Sequence, residues 1–218
     1  MSNGFGVDAI VALLLGTNLL LLGTGRLRSA VTILAFQGVV VSGLPLFIAG
    51  GEGVVRPWLL MSGGVLLKGA IFPWFLRRVL CESGVRREAE PFVGHTLSVV
   101  VGVFAVIFAI WTGSRIALPG PVAVDLSLAV PAGMATLLIG LFLTVSRRTA
   151  LSQVIGYIVM ENGIYAFGVA LVGGVPLLVE LGVLMDAFVA VFIMSIAAYH
   201  ISREFDHIDV GQLDQLRG

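Results

Sequence analysis

The chain carries little charge and almost none of the side chains that bind metals. Cys81 is its one cysteine, and its three histidines, His95, His200 and His207, have no CxxC partner and no zinc spacing. Iron-sulfur ligation, c-type haem and structural zinc are excluded within this chain. A b-type haem, which needs two facing buried histidines, is disfavoured because His95 and His200 fall at helix ends. The 13 basic and 13 acidic residues cancel, leaving no basic footprint, so nucleic-acid binding is excluded. Met1 to Asp8 lacks a positive n-region and a small-residue cleavage pattern, so the first apolar run is expected to stay in the membrane.

What the chain has in quantity is apolar length. Long Leu, Val, Ile, Phe and Ala runs alternate with short clusters of charge, the pattern of a polytopic membrane protein. Windows of roughly 20 apolar residues predict seven spans, near 4 to 23, 29 to 49, 57 to 76, 92 to 112, 126 to 145, 151 to 173 and 177 to 201. The expected fold is an all-α membrane helical bundle. Basic residues set its orientation: Arg26 and Arg28, Arg77, Arg78, Arg86 and Arg87, Arg147 and Arg148, and Arg203 and Arg217 follow odd-numbered spans, against only Arg56 and Arg115 on the other side. The N-terminus is predicted outside and the C-terminus in the cytoplasm. Trp58, Trp74 and Trp111 fall near predicted helix ends, where an indole can keep a hydrogen bond at the headgroups.

The organisation expected is a three-helix unit over 1–91 with a cytoplasmic loop, a connector helix over 92–120, and a second three-helix unit over 121–218 with a short tail. A weak internal repeat underlies it. Arg28-Ser-Ala-Val-Thr32 resembles Arg148-Thr-Ala-Leu-Ser152, and Gly43 and Gly163 follow their arginines by the same interval. Parallel repeats of this kind occur in transport proteins, although two apolar helices each entered by Arg and Ser/Thr give the same likeness by chance. Under the repeat, Lys68 falls close to the position equivalent to Asp186. Glycines such as Gly63, Gly64, Gly156, Gly163, Gly168 and Gly182 read as points of close helix packing.

Four ionisable side chains, Lys68, Glu161, Glu180 and Asp186, sit inside these apolar spans. Each costs roughly 2.5 to 3.5 kcal/mol at a helix centre, on the order of 10 kcal/mol together, so they must be paired, neutralised or wetted. Gln153, Tyr157, Glu161 and Tyr165 recur every fourth residue and make one polar stripe along the sixth span. Glu161 lies about 15 Å along that helix, near mid-membrane, where a carboxylate can take and release a proton. The alternative is a permanently neutral Glu161, hydrogen-bonded in place. The seventh span runs the opposite way and brings Asp186 to a similar depth, while Glu180 lies nearer the outer surface and reads equally well as interfacial. Lys68 precedes Arg77 by about 13 Å of helix, too far for easy snorkelling, and Pro73 should disturb the helix beside it. The loop Arg77 to Glu90, of mixed charge, reads as a positive-inside anchor that could also dock a cytoplasmic partner.

The run Ser146-Arg-Arg-Thr-Ala-Leu-Ser-Gln-Val-Ile-Gly-Tyr-Ile-Val-Met-Glu-Asn-Gly-Ile-Tyr165, with Pro176-Leu-Leu-Val-Glu-Leu-Gly-Val-Leu-Met-Asp186 and His200-Ile-Ser-Arg-Glu-Phe-Asp206, resembles hydrogenase-4 component E. That family comprises membrane subunits of formate-hydrogenlyase-type complexes and other group 4 nickel-iron hydrogenases. The same three spans look like the K-type subunit of respiratory complex I and the C-type subunit of multisubunit cation/proton antiporters. In these relatives, acids on the second and third helices belong to a proton path, which implies that role for Glu161 and Asp186. One departure stands out: the K-type glutamate comes two residues after the glycine matching Gly156, where this chain has Ile158, and Glu161 lies one turn later. Lys68-Gly-Ala-Ile-Phe-Pro73-Trp-Phe-Leu76 is similar to the Lys and Pro of antiporter-like subunits, which implies a proton-path role for Lys68.

The resemblance implies a non-catalytic, multi-pass subunit of the inner cell membrane. Its partners would be antiporter-like membrane subunits, a hydrogenase membrane anchor and hydrophilic hydrogenase-module subunits. The nickel-iron centre and the iron-sulfur clusters would reside in those partners, with no cofactor or metal here. A subunit of a cation/proton antiporter without a redox partner, or a structural spacer with static charge pairs, are the alternatives.

Overall fold

The computed structural model describes residues 2–48, 55–83, 93–115 and 128–172. Among the described residues every regular element is helical: α1 (Ser2–Gly23), α2 (Leu27–Ser42), α3 (Leu44–Ile48), α4 (Val55–Gly64), a π-helix (Val65–Ile71), α5 (Phe72–Ser83), α6 (His95–Gly113), α7 (Ala129–Ser146) and α8 (Ala150–Val172). Together they make six segments long and apolar enough to cross a membrane, Gly4–Gly23, Leu27–Phe47, Pro57–Cys81, His95–Gly113, Ala129–Ser146 and Leu151–Leu171. The protein is an all-α, multi-pass membrane bundle. The expected seventh span, with Glu180 and Asp186, lies outside the described residues.

Local chemistry explains where the spans bend and turn. The second span is interrupted at Gly43, whose N–H turns back to the Val40 carbonyl at 3.1 Å before α3 begins. The third span is continuous but not uniform. Pro73 has no N–H to offer the carbonyl four residues back, and the disturbance this creates lies before the proline. Val65–Ile71 widens into a π-helix, with the Phe72 N–H donating to the Leu67 carbonyl. Pro73 itself sits in the first turn of α5, a position proline tolerates.

Two sequence expectations change here. The helix runs on through Arg77 and Arg78 to Ser83, so the first half of the expected loop is helical and Trp74 lies well inside the span. Leu76 and Leu80, one turn apart, are both buried and hold this extension down. Arg147, one of the arginines that set the predicted orientation, is buried, and its Nη2 donates to the Leu22 carbonyl at 3.4 Å. It reaches from the α7–α8 turn to one of the carbonyls that α1 leaves open at its C-terminus.

In a bilayer, apolar burial gives helices little reason to associate, so close backbone approach must do it. α7 and α8 form the most extensive helix pair. Gly133 lies against the Phe167 backbone and Gly140 against that of Met160, while from α8 Gly163 lies against Leu137 and Gly156 against Thr144. The glycines alternate between the helices, so each helix presents a gap where the other presents backbone. Among the described residues, nothing comes within 4 Å of where a Cβ on Gly63 or Gly168 would sit, so these two take no part in the packing seen there. The apolar core falls into two clusters. One contains Leu22, Val31, Leu34, Leu76, Ile139, Leu143 and Val159, and the other Val7, Leu14, Val41, Val130, Ala132, Ala166 and Val169. α1, α2, α7 and α8 each cross from one cluster to the other. Replacing Gly140 or Gly163 by Val should force α7 and α8 apart, at a cost of about 1–3 kcal/mol for overpacking. Thermal unfolding in detergent should show a lower Tm for both, and an unchanged Tm for Gly168→Ala.

Candidate functional site

Between the two apolar clusters lies a single polar layer. It is built from Thr17 and Asn18 of α1, Gln37 of α2, Lys68 of the π-helix, Thr136 of α7, and Glu161 and Asn162 of α8, every one buried. Each helix reaches it about two to four turns from the arginine that marks its own turn. Glu161 sits about 16 Å into α8, half-way along the span.

Lys68 is the centre of the layer. Its Nζ lies 3.0 Å from Glu161 Oε1, donates to Asn162 Oδ1 at 3.1 Å, and stands 4.6 Å from the centroid of the Tyr165 ring. Glu161 and Tyr165 are one turn apart on α8 and share a face, while Asn162 flanks it. The lysine therefore meets a charge, a carbonyl dipole and a π-face, all from one helix. Two features bring it there. Gly38 of α2 lets the Lys68 backbone and Cβ press against it where any side chain would collide. The π-helix then rotates Lys68 relative to a regular helix, a device that recurs at functional sites.

The pair is only partly satisfied. At 3.0 Å the charges attract strongly, yet among the described residues neither Glu161 oxygen accepts a hydrogen bond of good geometry, and both are buried. A buried acceptor left in that state costs about 1–3 kcal/mol, more when charged. Oε2 is the open end of the site.

Beyond the lysine the layer continues without a gap. Asn162 Nδ2 donates to Gln37 Oε1 at 3.3 Å, Gln37 Nε2 to Asn18 Oδ1 at 2.8 Å and Thr17 Oγ1 at 3.1 Å, and Asn18 Nδ2 to Thr136 Oγ1 at 2.8 Å. The Thr136 hydroxyl closes the series on the Ala132 carbonyl at 2.7 Å.

Of the residues expected from the sequence, the structure brings Lys68, Glu161 and Tyr165 together. Tyr157 is half-buried on the same stripe. Gln153 lies apart: it is exposed, and its Nε2 donates to the Arg147 carbonyl at 3.1 Å, closing the α7–α8 turn. Asp186 and Glu180 lie outside the described residues. Asn18, Gln37, Thr136 and Asn162 escaped the sequence reading, which looked for ionisable groups. The available signal was an amide or hydroxyl inside the apolar run of α1, α2, α7 and α8. A second signal was also there: Lys68 is the only lysine in the sequence, every other basic residue being arginine.

Sequence relatives agree with this architecture. Residues 128–218 match the family model described as NADH-ubiquinone/plastoquinone oxidoreductase chain 4L. An uncharacterized protein of Mycobacterium tuberculosis is 34% identical over 215 residues, covering 97% of this chain and 96% of its own length. Hydrogenase-4 component E of Escherichia coli strain K12 is 38% identical over 98 residues, 45% of each chain, and the protein of that name from Shigella flexneri matches equally. The chain thus spans nearly the whole of the first relative and about half the length of the hydrogenase-4 components. No solved structure matches. A helical bundle with a buried charge pair and this likeness is a membrane subunit of the complex-I-like class. The chain belongs to the family of hydrogenase-4 component E and the complex I K-type (chain 4L) subunits. The matched stretch holds Thr136, Glu161, Asn162 and Tyr165, whereas Lys68, Gln37 and Asn18 precede it.

Removing one member of a buried pair strands the other at about 3–5 kcal/mol. Lys68→Met should therefore lower Tm in detergent sharply, and Lys68→Met combined with Glu161→Leu should recover most of the loss. Equal Tm for the single and double variants would show that the stranded carboxylate carries no penalty.

Proposed function

We propose that this chain is a non-catalytic membrane subunit of a complex-I-related membrane-bound hydrogenase, and that its Lys68–Glu161 pair takes part in redox-coupled ion movement. The observation that carries the reading is the pair itself. The one lysine of the chain and a carboxylate are brought to 3.0 Å in the middle of a membrane bundle, on a π-helix that turns the lysine toward the acid. Taking both charges out of water costs several kcal/mol per ion. When Nζ passes a proton to Oε1, one N–H bond breaks, one O–H bond forms, and both charges vanish together. Glu161 is then a neutral acid that can release this Oε1 proton once its carboxyl group turns away from the lysine, and Lys68 a neutral amine ready to take the next. Tyr165 and Tyr157 continue the stripe along α8, and Asp186 and Glu180 are the acids expected on the seventh span to receive the proton.

The ion moved is a proton in this scheme, with sodium as the variant in which the pair moves charge without bonding it. The arginines at the turns suit an N-terminus outside and a C-terminus in the cytoplasm of the inner cell membrane. The name of the Escherichia coli relative supports a hydrogenase as the parent complex. Antiporter-like subunits, a membrane anchor and hydrophilic hydrogenase-module chains would be the partners, and the nickel-iron centre and iron-sulfur clusters would reside in them.

The test begins with the tagged chain purified in mild detergent. Hydrogenase-module and iron-sulfur chains should copurify, whereas antiporter subunits alone would move the reading to a non-redox antiporter. In the complex reconstituted into vesicles, Glu161→Gln should assemble at normal stoichiometry yet lose ion translocation by at least tenfold. Unchanged translocation would reduce the pair to a structural tie.

A further inference from the structure

A lysine ammonium donates hydrogen bonds and accepts none. That single fact sets the direction of everything beyond it. Because Nζ donates to Asn162, Asn162 must turn Oδ1 toward the lysine and its Nδ2 away, to Gln37 Oε1. Gln37, its oxygen engaged, has only Nε2 left for Asn18 Oδ1. Asn18 in turn has only Nδ2 for Thr136, whose hydroxyl hydrogen goes to the Ala132 carbonyl. Every link points the same way, from the π-helix through α8, α2 and α1 to α7. Each amide presents its oxygen end toward the cation, and aligned hydrogen bonds in a low dielectric polarise one another.

The chain cannot itself be the proton route. An amide nitrogen holds its lone pair in the amide bond and has none free for a proton, so protons do not pass along Asn162, Gln37 and Asn18 as they would along water or hydroxyls. The charged and titratable groups that face Lys68 among the described residues are Glu161 and Tyr165, both on α8. α2 offers it only the Gln37–Gly38 region, through Asn162 and the backbone contact. Proton traffic belongs to the α8 side, and the amides belong to something else.

We propose that Asn162, Gln37, Asn18 and Thr136 are positioning residues for Lys68, forming a one-way hydrogen-bond chain that reports the protonation of its Nζ to α1 and α7. A neutral amine has a lone pair and can accept from Asn162 Nδ2. In that state Asn162 Oδ1 receives Gln37 Nε2, Gln37 Oε1 receives Asn18 Nδ2, Asn18 Oδ1 receives the Thr136 hydroxyl, and the Ala132 carbonyl is released. The same groups make the inter-helix links in either direction, so the layer has two arrangements and the lysine proton selects between them. The reversal rests on the reading that Lys68 gives up a proton in function; the one-way arrangement does not.

The single lysine makes the test direct. The full-length chain labelled with 13Cε-lysine gives one methylene signal, from Lys68, in lipid nanodiscs. Thr136→Val keeps the shape of the far end and removes its acceptor, while Thr136→Ser keeps the acceptor. Thr136→Val should move the Lys68 signal by more than a linewidth, and Thr136→Ser should return it to the wild-type position. Val41→Ala, an apolar trim at a buried position near the layer, should leave it in place. Gln37→Met, close in shape and apolar, cuts the chain in the middle and should move the signal as Thr136→Val does, whether or not Thr136→Val folds. A wild-type signal in Gln37→Met and Thr136→Val would overturn the proposal. A moved signal combined with intact ion translocation in Glu161→Gln would keep the chain and remove the ion-transport reading. An unmoved signal with translocation lost would do the opposite.

Discussion

A lysine and a glutamate held face to face in the middle of a membrane bundle are tolerated only if the surrounding helices supply what water would have supplied. The rest of the structure follows from that requirement. The pair needs a carbonyl and a π-face around the ammonium, which α8 provides through Asn162 and Tyr165. It needs the lysine backbone close, which Gly38 permits. It needs the lysine turned out of the ordinary helical register, which the π-helix achieves just ahead of Pro73. The amides recruited around it need partners of their own, and those partners extend to α1 and α7, so that one ion pair organises a polar layer through five helical elements.

That layer also separates two kinds of packing. Above and below it the helices meet through leucine, valine, isoleucine and alanine, and along α7 and α8 through interleaved glycines. Apolar contact in lipid specifies little, because a neighbouring lipid tail is as good a partner as a leucine. Register must come from shape and from hydrogen bonds. The glycine gaps fix how α7 lies on α8, and the amide series fixes the depth at which α1 and α2 meet them. Arg147 adds a third constraint by tying the α7–α8 turn to the end of α1.

The sequence was informative in proportion to how local each signal is. Apolar windows located all six described spans, because length and hydropathy alone set them. The fourfold spacing of Glu161 and Tyr165 placed both on one face, and the proline after Lys68 pointed to a disturbed helix. The pairing of Lys68 with Glu161 was not legible, since nothing local states which of four ionisable groups will meet across helices. Nor were Asn18, Gln37 and Thr136, each of which is an unremarked polar residue until the bundle brings them to one depth. Gln153 shows the converse: periodicity put it on the Glu161 stripe, but the stripe outruns the buried layer, and the residue closes a turn instead.

Proton exchange at the pair requires Lys68 to be a cation that can become neutral. Arginine keeps the charge, keeps donors for Glu161 and Asn162, and does not give up its proton in a protein. Ion translocation by the reconstituted complex carrying Lys68→Arg is therefore the most direct measurement. The account predicts a complex that assembles and remains stable but translocates at no more than a tenth of the wild-type rate. Translocation at the wild-type rate would contradict it, because a pair that works with arginine is a fixed charge and not a site of proton exchange.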